Sequence, residues 1–564
     1  MLRFVFLHHH VLRNCAIFQN SMRCISPLHS KHRFLHLSSI KRKISIHDQH
    51  GNWSWENITI RSTFLKSELL KSEASKNTKN LNGERVCFLT PNDSSFVSCL
   101  LAIWSSGGIA VPLCSKHPPS ELEYVINHSR ASTVVSAVEY TPMIEPLCEK
   151  LKVEHVQLDH WDKLDGDTVP CVENFPLLHV DQGHNHSLIM YTSGTTGPPK
   201  GVLFNHSNIR YQIKNLVDFW EMSPSDVLLH VLPLHHIHGF INALLCPLSI
   251  NAAVVMEPSF EAGRVWKHLL GESCSNFPRV NVFMAVPTIY TKLIQYFDEH
   301  QMCVEETKKK CKDIRLMVSG SASLPLSIMQ KWKSITGHTL LERYGMTEFG
   351  MGLTNPYKGK RIPGYVGLPF PNVEAKIAAS QENGEPDYSR YNVLYKDNRV
   401  FETEGTSDES GELLIKSKSM FQKYWDNNKA TKESFVDGWF KTGDIAVFED
   451  GMFRIVGRSS VDIIKSGGFK LSALDVERVL LEHDHVEEAS VLGVPDDTWG
   501  QKVVAVIKLT QNSTVDDVTM TSWCREHMAR YRIPREFKFV KEIPRNAMGK
   551  VNKKTLLQSI ESKS

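Results

Sequence analysis

Short apolar runs alternate with amphipathic stretches from about Trp55 onward, and this alternation predicts the fold class. Residues 86–89 and 188–191 have the length and composition of buried strands, whereas residues 207–220 and 288–297 carry apolar side chains at helical spacing. Further strand-like runs lie at residues 227–231, 253–256, 282–286 and 316–318. Strands that alternate with helices predict an α/β fold with layers of largely parallel sheets and helices.

The pattern changes in the second half of the chain, which at 564 residues is too long for one hydrophobic core. Residues 381–409 are polar and charged and have little aliphatic periodicity, which predicts an excursion on the surface. After Gly457, a helical pattern at residues 473–482 is followed by strand-like runs, which predicts a small, mobile α+β unit. We therefore predict a large N-terminal domain over residues 55–457 and a small C-terminal domain over residues 463–564.

The beginning of the chain differs in composition from the rest. Residues 1–47 contain eight Lys and Arg residues, and the first acidic residue is Asp48. A basic, acid-free, amphipathic leader is typical of a mitochondrial transit peptide, whereas a secretory signal needs an unbroken apolar core that Arg13 and the histidines interrupt. The leader predicts a mitochondrial matrix protein, and the alternative is a disordered basic tail.

The bulk composition argues against several other classes of protein. The formal net charge is +3, and much of the excess lies in the leader, so nucleic-acid binding has no support. The twelve cysteines show no CxxC spacing, which favours ordinary thiols in a reducing compartment. Residues 227–256 lack Asp, Glu, Lys and Arg, but prolines and histidines interrupt them, which predicts buried strands and a core helix and no transmembrane segment.

A loop rich in glycine and hydroxyl groups follows the strand-like run that ends at Tyr191. Its members are Thr192, Ser193, Gly194, Thr195, Thr196, Gly197, Pro198, Pro199 and Lys200. Backbone N–H groups and hydroxyls can bind phosphate oxygens, and glycines allow a close approach. The spacing of Gly197 and Lys200 does not match a Walker A loop. The loop therefore predicts a phosphate site of another type, to which Lys200 adds a mobile cation.

This loop resembles the phosphate-binding signature of the adenylate-forming superfamily, which holds acyl-CoA synthetases, luciferases and peptide-synthetase adenylation domains. Other signatures of that superfamily follow in the same order at residues 233–239 (PLHHIHG), 344–348 (YGMTE), 441–444 (KTGD), 457–458 (GR), 464–468 (IKSGG) and 544–550 (PRNAMGK). The match covers roughly residues 55–555. It implies activation of a carboxylic acid by ATP as an acyl-AMP and transfer of the acyl group to coenzyme A.

The resemblance also implies roles for individual residues. Asp444 and Arg458 would bind the ribose or phosphate of ATP, and Lys550 would stabilise the charge that develops during adenylation. The resemblance further implies that Thr347 binds the α-phosphate, that Glu348 and Thr196 bind Mg²⁺, and that coenzyme A contacts Lys465, Ser466, Gly467 and Gly468. The hinge between the two domains would lie within residues 459–462, and Lys553 and Lys554 are interpreted as solvated tail lysines.

The acyl-binding residues implied by the resemblance are His236, Lys292, Ser321 and Arg343. A buried arginine is costly beside an apolar tail but can bind a second carboxylate through two hydrogen bonds. Residues 341–348 (LERYGMTE) and 318–322 (VSGSA) resemble malonyl-CoA synthetases, which implies malonate or a similar short acid as the substrate. The alternative is that Arg343 forms a structural pair with Glu342 or another acid.

Other functions remain open from the sequence. They are a synthetase for medium-chain or other monocarboxylic acids, a luciferase-like oxidative enzyme, a carrier-loading adenylation module and a non-catalytic nucleotide sensor. A sensor would be expected to lose Lys550 or Glu348, and both are present. A zinc site at His235, His236 and His238 is not predicted, because no further ligand lies at a recognised spacing.

Overall fold

The computed structural model describes residues 44–71, 80–158, 186–192, 198–381, 385–403, 409–467, 469–511, 513–545 and 551–561. Almost all of the predicted leader lies outside the described residues. So do Ser193–Gly197 of the phosphate loop, Gly468 and Lys550.

A nine-stranded sheet lies at the centre of the larger part of the molecule. In spatial order its strands are Leu368–Pro369, Gly350–Thr354, Leu341–Met346, Leu316–Ser319, Val282–Ala285, Val227–His230, Ala253–Met256, Ile44–Asp48 and Gly51–Ser54. Neighbouring strands run parallel from Leu341–Met346 to Ile44–Asp48. These strands are buried in the core, which explains why the sequence shows them as continuous apolar runs.

A second sheet has seven strands and is also mainly parallel. In spatial order they are Lys423–Tyr424, Gly201–Asn205, His186–Tyr191, Ile109–Pro112, Arg85–Leu89, Thr133–Ala137 and Glu154–Leu158. Neighbours from His186–Tyr191 to Glu154–Leu158 run parallel. The predicted α/β layering is confirmed by these two sheets and by the helices between their strands.

A third sheet is antiparallel, and it corrects the prediction for residues 381–409. In spatial order its strands are Arg399–Glu402, Pro386–Lys396, Val373–Ser380, Gly411–Ser417, Trp439–Glu449 and Phe435–Val436, and Met452–Arg458 also pairs with Trp439–Glu449. Residues 381–409 therefore contribute two strands. Val393 and Tyr395 are buried, while most other positions of these strands face solvent, so few apolar residues mark the strands in the sequence.

Helices cover the sheets and fill the crossovers between parallel strands. They are Trp55–Leu69, Ser94–Ser105, Pro119–Ser129, Thr141–Leu151, His206–Phe219, His238–Leu245, Cys246–Ser249, Ala262–Leu270, Pro287–Glu299, Val304–Cys311, Leu326–Thr336 and Asn428–Glu433, with a single 3-10 turn at Val138–Tyr140. Residues 227–256 form buried strands and core helices, as predicted. Within the described ranges, no helix combines the length and apolar character needed to cross a membrane.

The C-terminal part of the chain forms its own sheet and cores. In spatial order the strands are Phe469–Ser472, Ile463–Ser466, Gly500–Leu509 and Val486–Asp496, and Glu536–Phe539 pairs in parallel with Gly500–Leu509. The helices are Ala473–Leu480, Asp517–His527 and Lys553–Glu561, with a short turn at Arg530–Arg532. Apolar side chains of the sheet and helices pack together away from the larger core, which confirms the predicted small α+β unit.

Candidate active site

A cavity of about 1840 Å³ lies beside the carboxyl ends of the parallel strands in the nine-stranded sheet. His236 follows strand Val227–His230, Lys292 lies in the helix after Val282–Ala285, and Ser321 follows Leu316–Ser319. All three line the cavity, and the C-terminal unit contributes a further part of its wall. Ligands of open parallel sheets bind at this edge, because the loops that follow successive strands meet there.

Asp444 and Arg458 lie opposite each other on two antiparallel strands, Trp439–Glu449 and Met452–Arg458. The Nε of Arg458 donates a hydrogen bond to Oδ1 of Asp444 at 2.9 Å, and the hydroxyl of Tyr344 donates to Oδ2 at 2.6 Å. The buried carboxylate is thus held from both sides on the cavity wall. Such a fixed carboxylate can accept hydrogen bonds from hydroxyl groups of a ligand, and Tyr344 is a partner that the sequence did not reveal.

The two ends of the predicted phosphate loop meet at the cavity. The backbone N–H of Thr192 donates to the carbonyl of Lys200 at 3.0 Å, and the N–H of Lys200 donates to Oγ1 of Thr192 at 3.2 Å. The Tyr124 hydroxyl holds the carbonyl of Pro199 at 2.9 Å. The cavity is lined by residues from both ends of the loop, namely Thr192, Pro198, Pro199 and Lys200.

Glu348 and Thr347 line the same cavity. The Tyr424 hydroxyl donates to Oε1 of Glu348 at 2.8 Å, and this carboxylate is buried. Burial, together with the negative charge of Glu348, raises the pKa of Tyr424, so the phenol keeps its proton and remains a donor. The amino group of Lys200 lies 4.8 Å from the centre of the Tyr424 ring. The carboxylate of Glu348 and the ammonium group of Lys200 therefore both lie beside Tyr424.

Arg343 is buried at the acyl side of the cavity, with 4% of its surface exposed. The Nη2 of Arg343 donates a hydrogen bond to Oγ of Ser321 at 3.1 Å, and Nδ1 of His238 lies 3.3 Å from the same oxygen. Gly320 makes room for the guanidinium, because a Cβ there would lie 2.6 Å from Cζ of Arg343. His238 is a member of this cluster that the sequence interpretation missed.

The guanidinium of Arg343 has no acidic partner among the residues that the structure describes, and its Nε lacks a hydrogen-bond acceptor there. Glu342 does not pair with Arg343, since it is the adjacent residue on the strand and its carboxylate accepts the N–H of Gly364 at 3.0 Å. Burial lowers the pKa of Arg343 to about 9. Burial and the charge of Arg343 keep the pKa of His238 well below its usual value, so this imidazole is neutral.

The other acyl candidates also line the cavity. The ring of His236 contacts the ring of His235 in a tilted arrangement, with the ring centres 4.0 Å apart. Lys292 also lines the cavity, but its side chain is exposed. The structure therefore brings Arg343 and Ser321 into direct contact, and it places His236 and Lys292 around the same space.

The coenzyme A candidates lie apart from this cavity. Lys465 and Ser466 belong to strand Ile463–Ser466, and the N–H of Gly467 donates to the carbonyl of Trp499 at 2.9 Å. Of the C-terminal candidates that can be described, none lines the cavity. The wall is formed there by other residues, including Arg545 and Val551, which pair in an antiparallel bridge on either side of Lys550.

Lys553 is a half-buried residue that forms two ion pairs, and the interpretation of it as a solvated lysine is wrong. Its amino group lies 2.6 Å from Oδ1 of Asp462 and 2.7 Å from Oε1 of Glu477, and 12% of its side chain is exposed. Burial alone would lower the pKa of Lys553, but the charges of Glu477 and Asp462 raise it. The predicted hinge region is thus tied by Lys553 to helix Ala473–Leu480. This pairing could not be predicted from the sequence, because both acids are remote from Lys553 along the chain.

Replacing Lys553 by alanine should lower the free energy of unfolding by about 3–5 kcal/mol, because two buried carboxylates would lose their counter-ion. Urea denaturation followed by tryptophan fluorescence measures the change. The matched control is Lys554→Ala, since Lys554 is exposed and should change the stability by less than about 0.5 kcal/mol. Equal effects of the two substitutions would contradict the assignment of Lys553 as a structural ion pair.

Comparisons with known protein families agree with this geometry. The chain matches the family model described as AMP-binding enzyme over residues 77–425. It matches the model described as AMP-binding enzyme C-terminal domain over residues 475–550. These matches confirm the resemblance to the adenylate-forming superfamily that the ordered motifs predicted.

Individual proteins extend the comparison. The chain is 46% identical over 544 residues to the mitochondrial malonate–CoA ligase ACSF3 of Bos taurus, which covers 95% of this chain and 91% of that protein. It is 36% identical to the malonate–CoA ligase of Arabidopsis thaliana, with 94% and 88% covered. Among solved structures it is similar to ATP-bound MatB from Rhodopseudomonas palustris, with a TM-score of 0.78, 30% identity, and 92% and 96% of the two chains covered.

Proposed function

We propose, since this chain belongs to the AMP-binding enzyme family, that it is an AMP-forming ligase that converts malonate and coenzyme A to malonyl-CoA. In the first half-reaction, a carboxylate oxygen of malonate attacks the α-phosphorus of ATP, and pyrophosphate leaves. In the second, the sulfur of coenzyme A attacks the acyl carbonyl, and AMP leaves. Methylmalonate is the nearest alternative acid. The chain's similarity to malonate–CoA ligases and to MatB supports this choice.

The observation that carries the substrate assignment is the buried guanidinium of Arg343. An isolated buried cation costs several kcal/mol, because it loses hydration without gaining a counter-ion. A second carboxylate on the substrate would supply that counter-ion and the missing acceptor for Nε. Ser321 and neutral His238 surround the same position and can offer hydrogen bonds. An apolar acyl tail would leave the cation uncompensated, which disfavours monocarboxylic acids.

The nucleotide residues support the first half-reaction. Asp444, held by Arg458 and Tyr344, is suited to accept the ribose hydroxyls, and the loop from Thr192 to Lys200 is suited to the phosphates. Thr347 would contact the α-phosphate. Attack of one anion on another builds negative charge, for which preorganised cations are the main remedy. Arg545 and Val551 line the cavity, which supports Lys550 as the cation that acts at this step.

Magnesium is part of the proposal, because ATP reaches such sites as its Mg²⁺ complex. The buried carboxylate of Glu348 fits this ion, which prefers oxygen ligands and few protein carboxylates. The hydrogen bond from the Tyr424 hydroxyl holds the Glu348 carboxylate on the cavity wall. Thr196 would add a hydroxyl. Bound Mg²⁺ would neutralise charge on the triphosphate.

The second half-reaction requires a different face of the C-terminal unit. We place the division between the two domains at residues 459–462, because the three larger sheets end with strand Met452–Arg458 and the smaller sheet begins at Ile463. The larger domain begins before the predicted residue 55, because strands Ile44–Asp48 and Gly51–Ser54 belong to the nine-stranded sheet. Rotation of the C-terminal unit about the residues between the two domains would move Lys550 away from the cavity. It would bring the face that carries Lys465–Gly468 to the cavity instead. Movements of this kind assemble each active arrangement in turn.

A substrate panel tests the proposed function. AMP release should be fastest with malonate, slower with methylmalonate, and slowest with succinate and octanoate at equal concentrations. Each acid is assayed with ATP, Mg²⁺ and coenzyme A, with the acid omitted as the blank. A preference for octanoate would refute the diacid assignment and leave a general acyl-CoA synthetase. Absence of AMP release with every acid would refute the ligase assignment.

The cellular location follows from the leader and is part of the same proposal. We expect mitochondrial import into the matrix and removal of the leader between about residues 25 and 50, because the segment is basic and acid-free. A cut before Ile44 is favoured within that range, because Ile44–Asp48 is a buried strand of the nine-stranded sheet. The similarity to the mitochondrial ligase of Bos taurus supports this location. Mass spectrometry of the endogenous protein measures the new N-terminus. An intact Met1, or fluorescence of a C-terminal fusion outside mitochondria, would contradict the expectation.

A further inference from the structure

Three side chains of metal-binding type meet beside the acyl part of the cavity. Cys114 and His117 lie between strand Ile109–Pro112 and helix Pro119–Ser129, and His235 follows a strand of the other sheet. One ligand atom of each residue lies within 4.8 Å of the ligand atoms of the other two. The sequence did not show this cluster, because folding brings His235 to a Cys-x-x-His segment from which it is remote along the chain.

Each member has local surroundings that suit a ligand. Cys114 is buried, and its sulfur lies within reach of ring nitrogens of both His117 and His235. The Nε2 of His235 is buried and has no hydrogen-bond partner within the described part of the chain. The Nδ1 of His117 lies 3.4 Å from Oε2 of Glu121. Metal-bound histidines usually direct their second ring nitrogen to such an oxygen.

We propose that Cys114, His117 and His235 form a Zn²⁺ site through which this ion inhibits the enzyme. One sulfur and two imidazole nitrogens are a donor set that zinc favours. Tetrahedral zinc with these ligands holds their atoms roughly 3.4–3.6 Å apart. In the structure these atoms lie within 4.8 Å of one another, so the side chains would have to move closer together when the ion binds. Three protein ligands leave the fourth coordination position of the zinc ion open. Because Cys114 and His235 line the cavity, this position would face the cavity.

Inhibition follows from the position of His235, and this part rests on the proposed function. The rings of His235 and His236 are in contact, with their centres 4.0 Å apart. A metal ion that fixes His235 also restrains His236, which we assign to the acyl site. The fourth zinc ligand would occupy space on the same wall. Bound zinc should therefore hinder entry or positioning of the acid without contacting the ribose site at Asp444.

Metal titration of the full chain, stripped with a chelator, tests the site directly. Co²⁺ should produce the near-ultraviolet absorption of a cobalt–thiolate bond, and Zn²⁺ should abolish it. Competition with a chromophoric chelator gives the Zn²⁺ affinity. Cys114→Ser and His117→Gln should weaken it by at least ~10- to 100-fold, since loss of even an outer partner costs that much. The control is Cys274→Ser, because Cys274 is exposed and outside the cluster.

Activity measurements test the inhibitory role. Zn²⁺ added with excess Mg²⁺ should inhibit AMP release by the wild type, and His117→Gln, which does not line the cavity, should be resistant while its metal-free activity is unchanged. No cobalt–thiolate band, or equal zinc affinity of the wild type and Cys114→Ser, would overturn the site. Binding without inhibition would overturn the inhibitory role. A protein that binds zinc at this cluster but shows no ligase activity would refute the proposed function alone, because the titration does not require catalysis.

Discussion

Replacing Arg343 by methionine should raise the KM for malonate by ~10- to 1000-fold, equivalent to roughly 1.4–4 kcal/mol. The second carboxylate of malonate would enter the site beside Ser321 without its counter-ion, and a site built to hold a charge discriminates strongly when the pairing is broken. The KM for ATP should change little, because Asp444 and Arg458 remain in place. Steady-state AMP release with malonate and with octanoate measures both effects, and the preference should shift toward the monocarboxylic acid.

The same substitution should leave the ligand-free protein as stable as the wild type or more stable. Methionine removes a buried charge that lacks an acidic partner among the described residues. The matched control is Arg315→Met, because Arg315 holds the buried carboxylate of Asp226 at 2.5 Å. That variant should lose about 3–5 kcal/mol of stability. If malonate kinetics are unchanged, or if both variants lose stability equally, Arg343 is a structural cation and the diacid assignment fails.

Replacing Lys550 by alanine should slow acyl-adenylate formation by ~100- to 1000-fold, the usual cost of losing one preorganised group at a developing charge. Thioester formation from supplied acyl-AMP should change only a few-fold, because no negative charge then builds on the α-phosphate. Pyrophosphate release in a single turnover measures the first half-reaction. Consumption of synthetic malonyl-AMP by coenzyme A measures the second.

Lys554→Ala is the control for this experiment, since Lys554 is exposed and lies in the same segment. It should leave both half-reactions unchanged. An equal loss in both half-reactions for Lys550→Ala, together with a lowered Tm, would indicate unfolding of the C-terminal unit instead of a role in adenylation.

The fold was predictable where burial leaves a simple pattern. The central parallel strands, such as Val282–Ala285, are buried, so their sequences are continuous apolar runs. Strand Pro386–Lys396 faces solvent along much of its length and buries Val393 and Tyr395, so its sequence resembles a polar loop. Strands of an antiparallel sheet with one face in solvent need few apolar residues, and composition alone cannot separate them from surface segments.

The candidate site was predictable where its residues form contiguous motifs, and less so where they depend on remote partners. Asp444 and Arg458 were found because each belongs to a short signature. Tyr424 could not be linked to Glu348, nor Lys553 to Asp462, because a hydrogen bond or ion pair across the fold leaves no local pattern. The absence of an acid beside Arg343 within the described residues is likewise a property of packing. From the sequence, a structural pair with the adjacent Glu342 remained open as the alternative.

Arg458 makes two contacts with different consequences. Its Nε holds Asp444, while its backbone N–H donates to Oδ2 of Asp462 at 3.0 Å. If Asp444 binds the ribose as we propose, nucleotide affinity and the choice between the two proposed domain arrangements would be linked through one residue, and such linkage is reciprocal. AMP should favour the arrangement in which both contacts are made. We therefore expect bound AMP to slow its own dissociation. Arg458 would then influence the order of product release as well as the chemistry.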